Sequence, residues 1–195
     1  MSKYETHECE FEEIIFVRLN EGEDLLKAIW NIAKENDIRA GVILEGTGAL
    51  SNVVFQGIPK KKYACALPLD VYELGGILQT NVRGLIGITA KGDADWTDSS
   101  IKKVPHVIEN EEDFWNYHGS EGGVDTPCFQ GHFAVVNKDV SVMGRVLPGT
   151  KIENAGMGKT DNLPTHFSLV IGKVKGVEYR MKLNKDQFVQ EIVKL

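Results

Sequence analysis

The segment 130–150 constrains the fold most, because it predicts a β-hairpin with a defined register. If residues 138–139 form a two-residue turn, His132 lies directly opposite Arg145. The same register pairs Asn137 with Val140 and Val135 with Val142. Side chains alternate along a strand, so the imidazole and the guanidinium share one face of the sheet. The pair is either the centre of a binding site or a hydrogen-bonded histidine on a half-solvated face with no function.

The first part of the chain predicts a helix that covers a sheet. The predicted elements are a strand over 11–19, a helix over 23–36 and strands over 39–50 and 51–57. Asn20 and Glu23 resemble a helix start signal. The apolar residues that follow fall on one helical stripe, which needs a sheet to pack against.

The rest of the chain is mostly strand-like, with one further helix expected at its end. Strands are predicted over 71–90, interrupted at Gly75-Gly76 and Gly84, and over 163–173 and 177–183. Asn184 with Gln187 resembles the cap of a short C-terminal helix. The chain length suits one domain over residues 1–195, so the predicted fold class is α/β of the α+β type, with one main packed helix near the N-terminus.

Residues 91–129 form an acidic insertion that carries several aromatic side chains. A short helix is predicted over 110–117, capped by Asn110 with Asp113 three residues later. Long insertions in compact domains are often lids, binding loops or subunit contacts. The alternative is a satellite core, formed by Trp96, Phe114 and Trp115, that only anchors the loop.

The charge balance argues against a strong nucleic-acid binder. Acidic residues number 28 against 22 basic ones, which gives a net charge of −6. The tight basic run is Lys60-Lys61-Lys62, and affinity for nucleic acid draws mainly on cationic contacts to phosphate.

The cysteines and the N-terminus predict a cytoplasmic protein. Cys9, Cys65 and Cys128 are odd in number and widely spaced, which is typical of a reducing compartment. No export signal and no apolar run long enough to span a bilayer occurs in the sequence.

Several segments occur in the order found in the plant-and-prokaryote-conserved (PPC) domain family. They are Arg18-Leu19-Asn20-Glu21-Gly22-Glu23-Asp24, Gly41-Val42-Ile43-Leu44-Glu45-Gly46-Thr47-Gly48-Ala49-Leu50, Tyr72-Glu73-Leu74-Gly75-Gly76-Ile77-Leu78, Gly131-His132-Phe133 and Val142-Met143-Gly144-Arg145-Val146-Leu147. The chain resembles this family over residues 10–90 and 130–182. The resemblance implies a compact domain with a largely antiparallel sheet, which assembles as a homotrimer with pockets near the subunit junctions.

The sequence departs from the family where the family's chemistry is expected. The resembling hairpin usually carries His-x-His on its first strand and Gly-Gly-His on its second, but here Gln130 and Arg145 replace two histidines and only His132 remains. An arginine stays protonated and cannot bind a metal, whereas its planar fork grips a carboxylate or a phosphate. We therefore predict a small anionic ligand bound by His132, Arg145 and Gln130. Glu73, as a partner of Arg145 or a general base, and His166 complete the predicted ligand-binding set.

A metal site is the alternative use of the same histidines. His132, His166 and His118 are the candidate ligands, with His106 as a further histidine in the insertion. Three imidazoles regrouped in this way would suit zinc.

Three functions follow from these observations. The first is a homotrimeric PPC-like module, of regulatory type, that binds a small anionic ligand or a protein partner. The second is a metal-dependent enzyme with a histidine-based site, since the resemblance extends to zinc-dependent decarboxylase-like proteins. The third is a DNA-associated protein, as the family label suggests; the acidic charge and the absence of the Arg-Gly-Arg-Pro core of an AT-hook disfavour it.

Overall fold

A computed structural model describes residues 6–57, 70–93, 110–136, 141–153, 167–184 and 187–195. Within these ranges the chain forms two helices and nine strands. The helices are α1 (Leu25–Glu35) and α2 (Glu111–Tyr117). The strands are β1 (Glu10–Leu19), β2 (Gly41–Gly57), β3 (Asp70–Ala90), β4 (Pro127–Val136), β5 (Ser141–Val146), β6 (Lys151–Glu153), β7 (Phe167–Lys175), β8 (Val177–Asn184) and β9 (Gln187–Lys194).

The helix predicted over 23–36 is observed as α1, and it begins at a different cap. Asp24 is the N-cap, because its carboxylate accepts hydrogen bonds from the backbone N–H of Lys27 at 3.2 Å and of Gly149 at 2.6 Å. The backbone N–H of Asn20 donates to Glu23 at 2.6 Å in the turn before it. Asn20 and Glu23 therefore form the turn before the helix. The cap residue, Asp24, links α1 to the segment after β5.

The strands form one sheet in which four members close a ring. In the order β2, β5, β4, β3 each strand pairs with the next, and β3 pairs again with β2. The described strand pairs are antiparallel except β3 with β8, so the prediction of a largely antiparallel sheet is confirmed. The buried inner face of the ring joins the buried stripe of α1 in one hydrophobic cluster. It includes Val53, Phe55, Val82, Phe133, Val135 and Val146.

Two strands are longer than the sequence predicts. β2 runs without a break through residue 51, where its register with β3 shifts, and β3 runs through Gly75, Gly76 and Gly84. Gly84 is required by a close approach, because a Cβ there would lie 2.4 Å from the Cα of Gly131 on β4. Gly84 therefore allows tight strand packing, and none of the three glycines ends the strand.

The predicted C-terminal helix is wrong, since β9 occupies those residues. β9 pairs antiparallel with β8, and Asn184 lies directly opposite Gln187. The spacing that resembles a helix cap is thus the two-residue connection of a hairpin. Pairing with β8 gives the β-branched side chains of β9 a partner strand, which outweighs the local helix signal.

None of the helices in these ranges is long and apolar enough to cross a membrane.

Candidate functional site

The hairpin of β4 and β5 has the predicted register. His132 lies directly opposite Arg145, and Val135 lies opposite Val142. The turn at 137–140, and with it the predicted pairing of Asn137 with Val140, is outside the described residues. Two polar side chains therefore share one sheet face, as the alternation of the sequence predicts.

The ring extends this pair into a row of four polar residues. Arg145 lies opposite Gln56 of β2 on one side and His132 on the other, and His132 in turn lies opposite Arg83 of β3. Paired residues share a face, and Phe55 and Phe133 of the same strands point to the core. The row, here called the polar row (Gln56, Arg145, His132, Arg83), thus lies on the outer face of the ring.

Arg145 is the half-buried cation of this row. Burial lowers the pKa of its guanidinium, while Tyr117 and Tyr179 act electrostatically in the opposite direction. Among the ion pairs within the described ranges, none joins Arg145 to a carboxylate. A guanidinium does not lose its proton in proteins, so the site holds a positive charge that no described carboxylate pairs with.

His132 is exposed beside this charge. Burial, and secondly the charge of Arg145, lower the pKa of its imidazole. The side chain is therefore neutral at pH 7 and offers one N–H donor and one nitrogen acceptor.

Gln130 fixes the insertion against the hairpin. Its side-chain Nε2 donates to the backbone oxygen of His118 at 2.5 Å and lies 3.1 Å from Sδ of Met181. Gln130 was predicted to bind the ligand, but its side-chain amide nitrogen already donates a hydrogen bond within the protein.

The insertion brings His118 to the same site. α2 has the predicted cap, since the Asn110 side chain accepts from the backbone N–H of Asp113 at 2.9 Å, and the helix ends at His118. The His118 ring stacks on Phe188 with centroids 4.2 Å apart and an interplanar angle of 13°. Burial, and secondly Arg145, lower the pKa of His118 to about 3.

The predicted satellite core is present in part. Phe114 and Trp115 pack with Leu183, and Phe188 covers them. Trp30 of α1 adds a hydrogen bond from Nε1 to the backbone oxygen of Gly119 at 3.1 Å. Trp96, the third residue of the prediction, is outside the described residues.

Two buried polar groups near Arg145 make no hydrogen bond. Tyr179 Oη and Gln56 Nε2 are both buried without a partner within the described structure, and their residues are 7% and 5% exposed. Burial and the Cys128 thiol raise the pKa of Tyr179, against a smaller effect of Arg145, so the hydroxyl keeps its proton. Such unpaired buried groups are uncommon in folded proteins, so each of them calls for a physical explanation.

Sequence reasoning misses both of these residues. Gln56 reaches Arg145 through a pairing between residues about 90 apart in the chain. Tyr179 reaches it because β8 joins β3 in parallel. Neither pairing leaves a local pattern in the sequence. Once β2 is known to pair with β5, counting the register outward from Arg145 identifies Gln56.

The remaining candidates are not assembled with this group. Glu73 is exposed on β3, opposite Val54, and β2 lies between it and Arg145. Glu73 and Arg145 form no ion pair. His166 and His106 are outside the described residues.

The residues of the candidate site do not fit a transition metal. Gln130 and Arg145 occupy the positions where the family resemblance implies histidine, and a protonated guanidinium repels a cation. In the ranges that the structure describes, no three His, Cys, Asp or Glu side chains group closely enough to hold a metal ion.

Comparisons with known proteins agree on the fold. The PPC protein of Pyrococcus horikoshii is similar at a TM-score of 0.62 and 16% identity, over 98% of this chain and 100% of that one. A metal-containing protein of Archaeoglobus fulgidus has a TM-score of 0.58 and 14% identity, with 91% of each chain covered. A Ralstonia eutropha protein with a provisional DNA-binding name has a TM-score of 0.53 and 13% identity, over 91% of this chain and 88% of that one.

At these identities the structural likeness shows the fold alone. No curated protein matches the sequence. The family model of the Plants and Prokaryotes Conserved (PCC) domain matches residues 6–146, which is most of the chain. The predicted resemblance is therefore confirmed, and the chain belongs to the Plants and Prokaryotes Conserved (PCC) domain family, abbreviated PPC above.

Proposed function

We propose that this chain is a homotrimeric module that binds a small anionic ligand at Arg145 and His132 of the polar row, with a regulatory role. Arg145 is the primary contact and His132 the second. Gln130 positions the insertion beside them. Glu73 and His166 stay predictions from the sequence, since the structure does not bring the first to Arg145 and does not describe the second.

One observation carries the proposal. Arg145 is half-buried and lacks a carboxylate partner, while Arg83, at the other end of the same row, is 70% exposed and lies 4.0 Å from Glu45. A partly desolvated, unpaired charge costs free energy that an anion would recover through bidentate hydrogen bonds. The guanidinium of Arg83 is hydrated, so an anion bound to it would recover little free energy.

Calorimetric titration with acetate and inorganic phosphate tests the site. We expect binding of at least one of these anions, and a loss of about tenfold or more in Arg145→Met, the usual scale for a bidentate charged contact. Arg83→Met is the matched control, because it removes the same charge from the same row and should change affinity less than about twofold. Equal losses of affinity in both variants would mean that the anion responds only to the overall electrostatic field of the protein.

Assembly into a trimer is supported by exposed apolar side chains, of which Val136 and Met143 lie on the outer face of the β4–β5 hairpin. Phe16 of β1, Val136 of β4 and Met143 of β5 are 79%, 53% and 72% exposed. Large exposed apolar side chains grouped on one face are typical of protein contact surfaces. Copies of the chain are the partner that the family resemblance implies.

Light scattering coupled to gel filtration measures the assembly. The chain mass is 21.6 kDa, so a trimer has a mass of about 65 kDa. Met143→Glu should shift the mass toward 21.6 kDa, and Glu121→Gln, an exposed change in the insertion, should not. A wild-type mass of one chain at micromolar concentration would end the trimer proposal.

The metal-dependent enzyme is the second candidate, and one observation favours it. His118 and His132 both lie within the electrostatic reach of Arg145 and both have a lowered pKa, so they are in the neutral form that binds metals. Elemental analysis of the purified protein decides between the candidates. Stoichiometric zinc that disappears in His132→Ala would replace the anion proposal by this one.

The DNA-associated role is the third candidate and has no described feature in its favour beyond names given to similar structures. A mobility-shift assay with duplex DNA at low salt and micromolar protein tests it. We expect no shift, because the net charge is −6.

A further inference from the structure

We propose that the anion site selects a monoanionic carboxylate and discriminates against phosphate dianions. The inference rests on the proposed function, because it names the ligand class of the same site. It follows from the charge that the site holds, from the donors that surround Arg145 and from the part of α2 that faces them.

The site holds a single uncompensated positive charge. Arg145 supplies it, and Arg83 at the end of the row is already near Glu45. The imidazoles of His118 and His132 face Arg145, which disfavours a second positive charge on either of them. One carboxylate neutralises this site, whereas a phosphomonoester dianion would leave a net negative charge in a half-buried place.

The donors around Arg145 are neutral. Tyr179 Oη and Gln56 Nε2 are buried and unpaired in the described structure, and they come from two different strands, β8 and β2. A carboxylate has two oxygens with four lone-pair positions, so it can accept from the guanidinium and from these groups together. Binding a carboxylate would therefore give partners to two buried donors that have none in the described structure, and a counter-charge to Arg145.

The N–H groups of residues 119–122, the described glycine-containing turn after α2, already donate within the protein. Phosphates are commonly held by backbone N–H groups at a helix N-terminus or in a glycine-rich turn. Here α2 presents its C-terminal end, and the carbonyl of His118 at that end accepts from Gln130. A helix C-terminus carries a partial negative charge, which adds to the discrimination against a dianion.

Tyr179 separates a binding role from a structural one. Its hydroxyl makes no bond in the described structure, so Tyr179→Phe removes no contact within the protein and relieves a buried unpaired donor. The variant should melt no lower than wild type. If the hydroxyl meets a carboxylate, the same variant must bind that carboxylate more weakly.

The experiment compares matched probes on the full chain at pH 7.5. The monoanions are acetate and benzoate, the dianions are methyl phosphate and phenyl phosphate, and benzamide is the neutral control. Dissociation constants come from protein-observed NMR titrations of wild type, Arg145→Met, Tyr179→Phe and Arg83→Met.

We expect each carboxylate to bind about tenfold more tightly than its phosphate counterpart, on the scale of one charge mismatch in a partly desolvated site. Arg145→Met should abolish this binding, and Tyr179→Phe should weaken carboxylates about fivefold, the scale of one hydrogen bond. Arg83→Met and benzamide should show no comparable effect.

Three results would count against the inference, and they differ in what else they remove. Phosphates that bind more tightly than carboxylates, in an Arg145-dependent way, would reject the carboxylate class and leave the proposed anion site standing. Absence of Arg145-dependent binding for every probe would reject the anion site as well. Undiminished carboxylate binding in Tyr179→Phe would remove the hydroxyl from the site and with it the argument from unpaired donors.

Discussion

Two half-buried arginines of this chain lie in opposite electrostatic surroundings. Arg39 donates a hydrogen bond to Glu178 and lies 2.9 Å from Asp125, and Arg180 Nε donates to the other oxygen of Glu178 at 2.7 Å. Arg145 has no such carboxylate in the described part of the chain. The first arginine is neutralised within the fold, whereas the second has no neutralising partner among the described residues.

One strand supplies both surroundings. Glu178 and Arg180 of β8 point to one side, and Tyr179 between them points to the other, toward Gly87 and Arg145. The comparison shows that a buried charge is not by itself evidence of function. What distinguishes a structural network from a candidate site is whether its hydrogen bonds are complete.

The largest expected change in stability comes from the network of Arg39, Glu178 and Arg180, whose hydrogen bonds are complete. Glu178→Gln should lower the free energy of unfolding by about 3 kcal/mol, because it leaves two guanidinium groups facing each other without their shared carboxylate. Urea denaturation measures it. The control is Glu10→Gln, which breaks an exposed 3.0 Å pair with Lys175 and should leave the free energy of unfolding close to that of wild type. Similar losses in both variants would mean that Glu178 contributes no more than a surface pair.

Acidification should affect the two regions over different pH windows. The pKa of His118 is lowered to about 3 in the folded protein, so below its ordinary value of 6.5 the unfolded chain binds the extra proton and the folded chain does not. Stability is therefore lost as the pH falls from 6.5 toward 3. At pH 5 this amounts to at most about 2 kcal/mol.

Glu178 responds only at lower pH. Burial raises the pKa of its carboxyl, but hydrogen bonds from Arg39 and Arg180 outweigh burial and lower it. Its stabilising contribution is complete above 4.5 and is lost as the pH falls through the folded pKa.

Thermal melts of wild type and His118→Phe separate these windows. The variant keeps the ring stack on Phe188 and should lose less stability between pH 7 and pH 5. Parallel curves for the two proteins over that range would contradict the assignment to His118.

The smallest expected change in stability comes from Arg145, which has no described carboxylate partner. Arg145→Met should leave the free energy of unfolding within about 0.5 kcal/mol of wild type, or raise it slightly, because an unpaired half-buried charge is replaced by an apolar chain of similar length. The same urea experiment measures it, without added anion. A loss as large as that of Glu178→Gln would show that Arg145 has a structural partner and would weaken the binding proposal.

The sequence predicts those parts of the fold that depend on neighbours in the chain. The register of β4 and β5 is the one that an assumed two-residue turn at 138–139 predicts, and α2 follows from the cap formed by Asn110. The strand β9 was missed because its choice between helix and strand depends on β8, which gives it a paired partner. Local signals at Asn184 and Gln187 fit both a cap and a hairpin.

The candidate site was predictable to a similar extent. His132 and Arg145 are brought together by alternation alone. Gln56 and Tyr179 enter through the closure of the ring and through the parallel pairing of β8, which require the whole topology. The role of Gln130 differs from the prediction because its partner carbonyl belongs to the insertion, whose path is not encoded locally.

The closed ring has an evolutionary consequence. Slipping β5 by a single position would exchange Arg145 with Val146 and place a charge among the core aromatics, so the core itself enforces the orientation of every outward side chain. Substitutions on the outside of the ring can then accumulate without refolding the domain. Gln130 and Arg145, which stand where the family resemblance implies histidine, are outward residues of this kind.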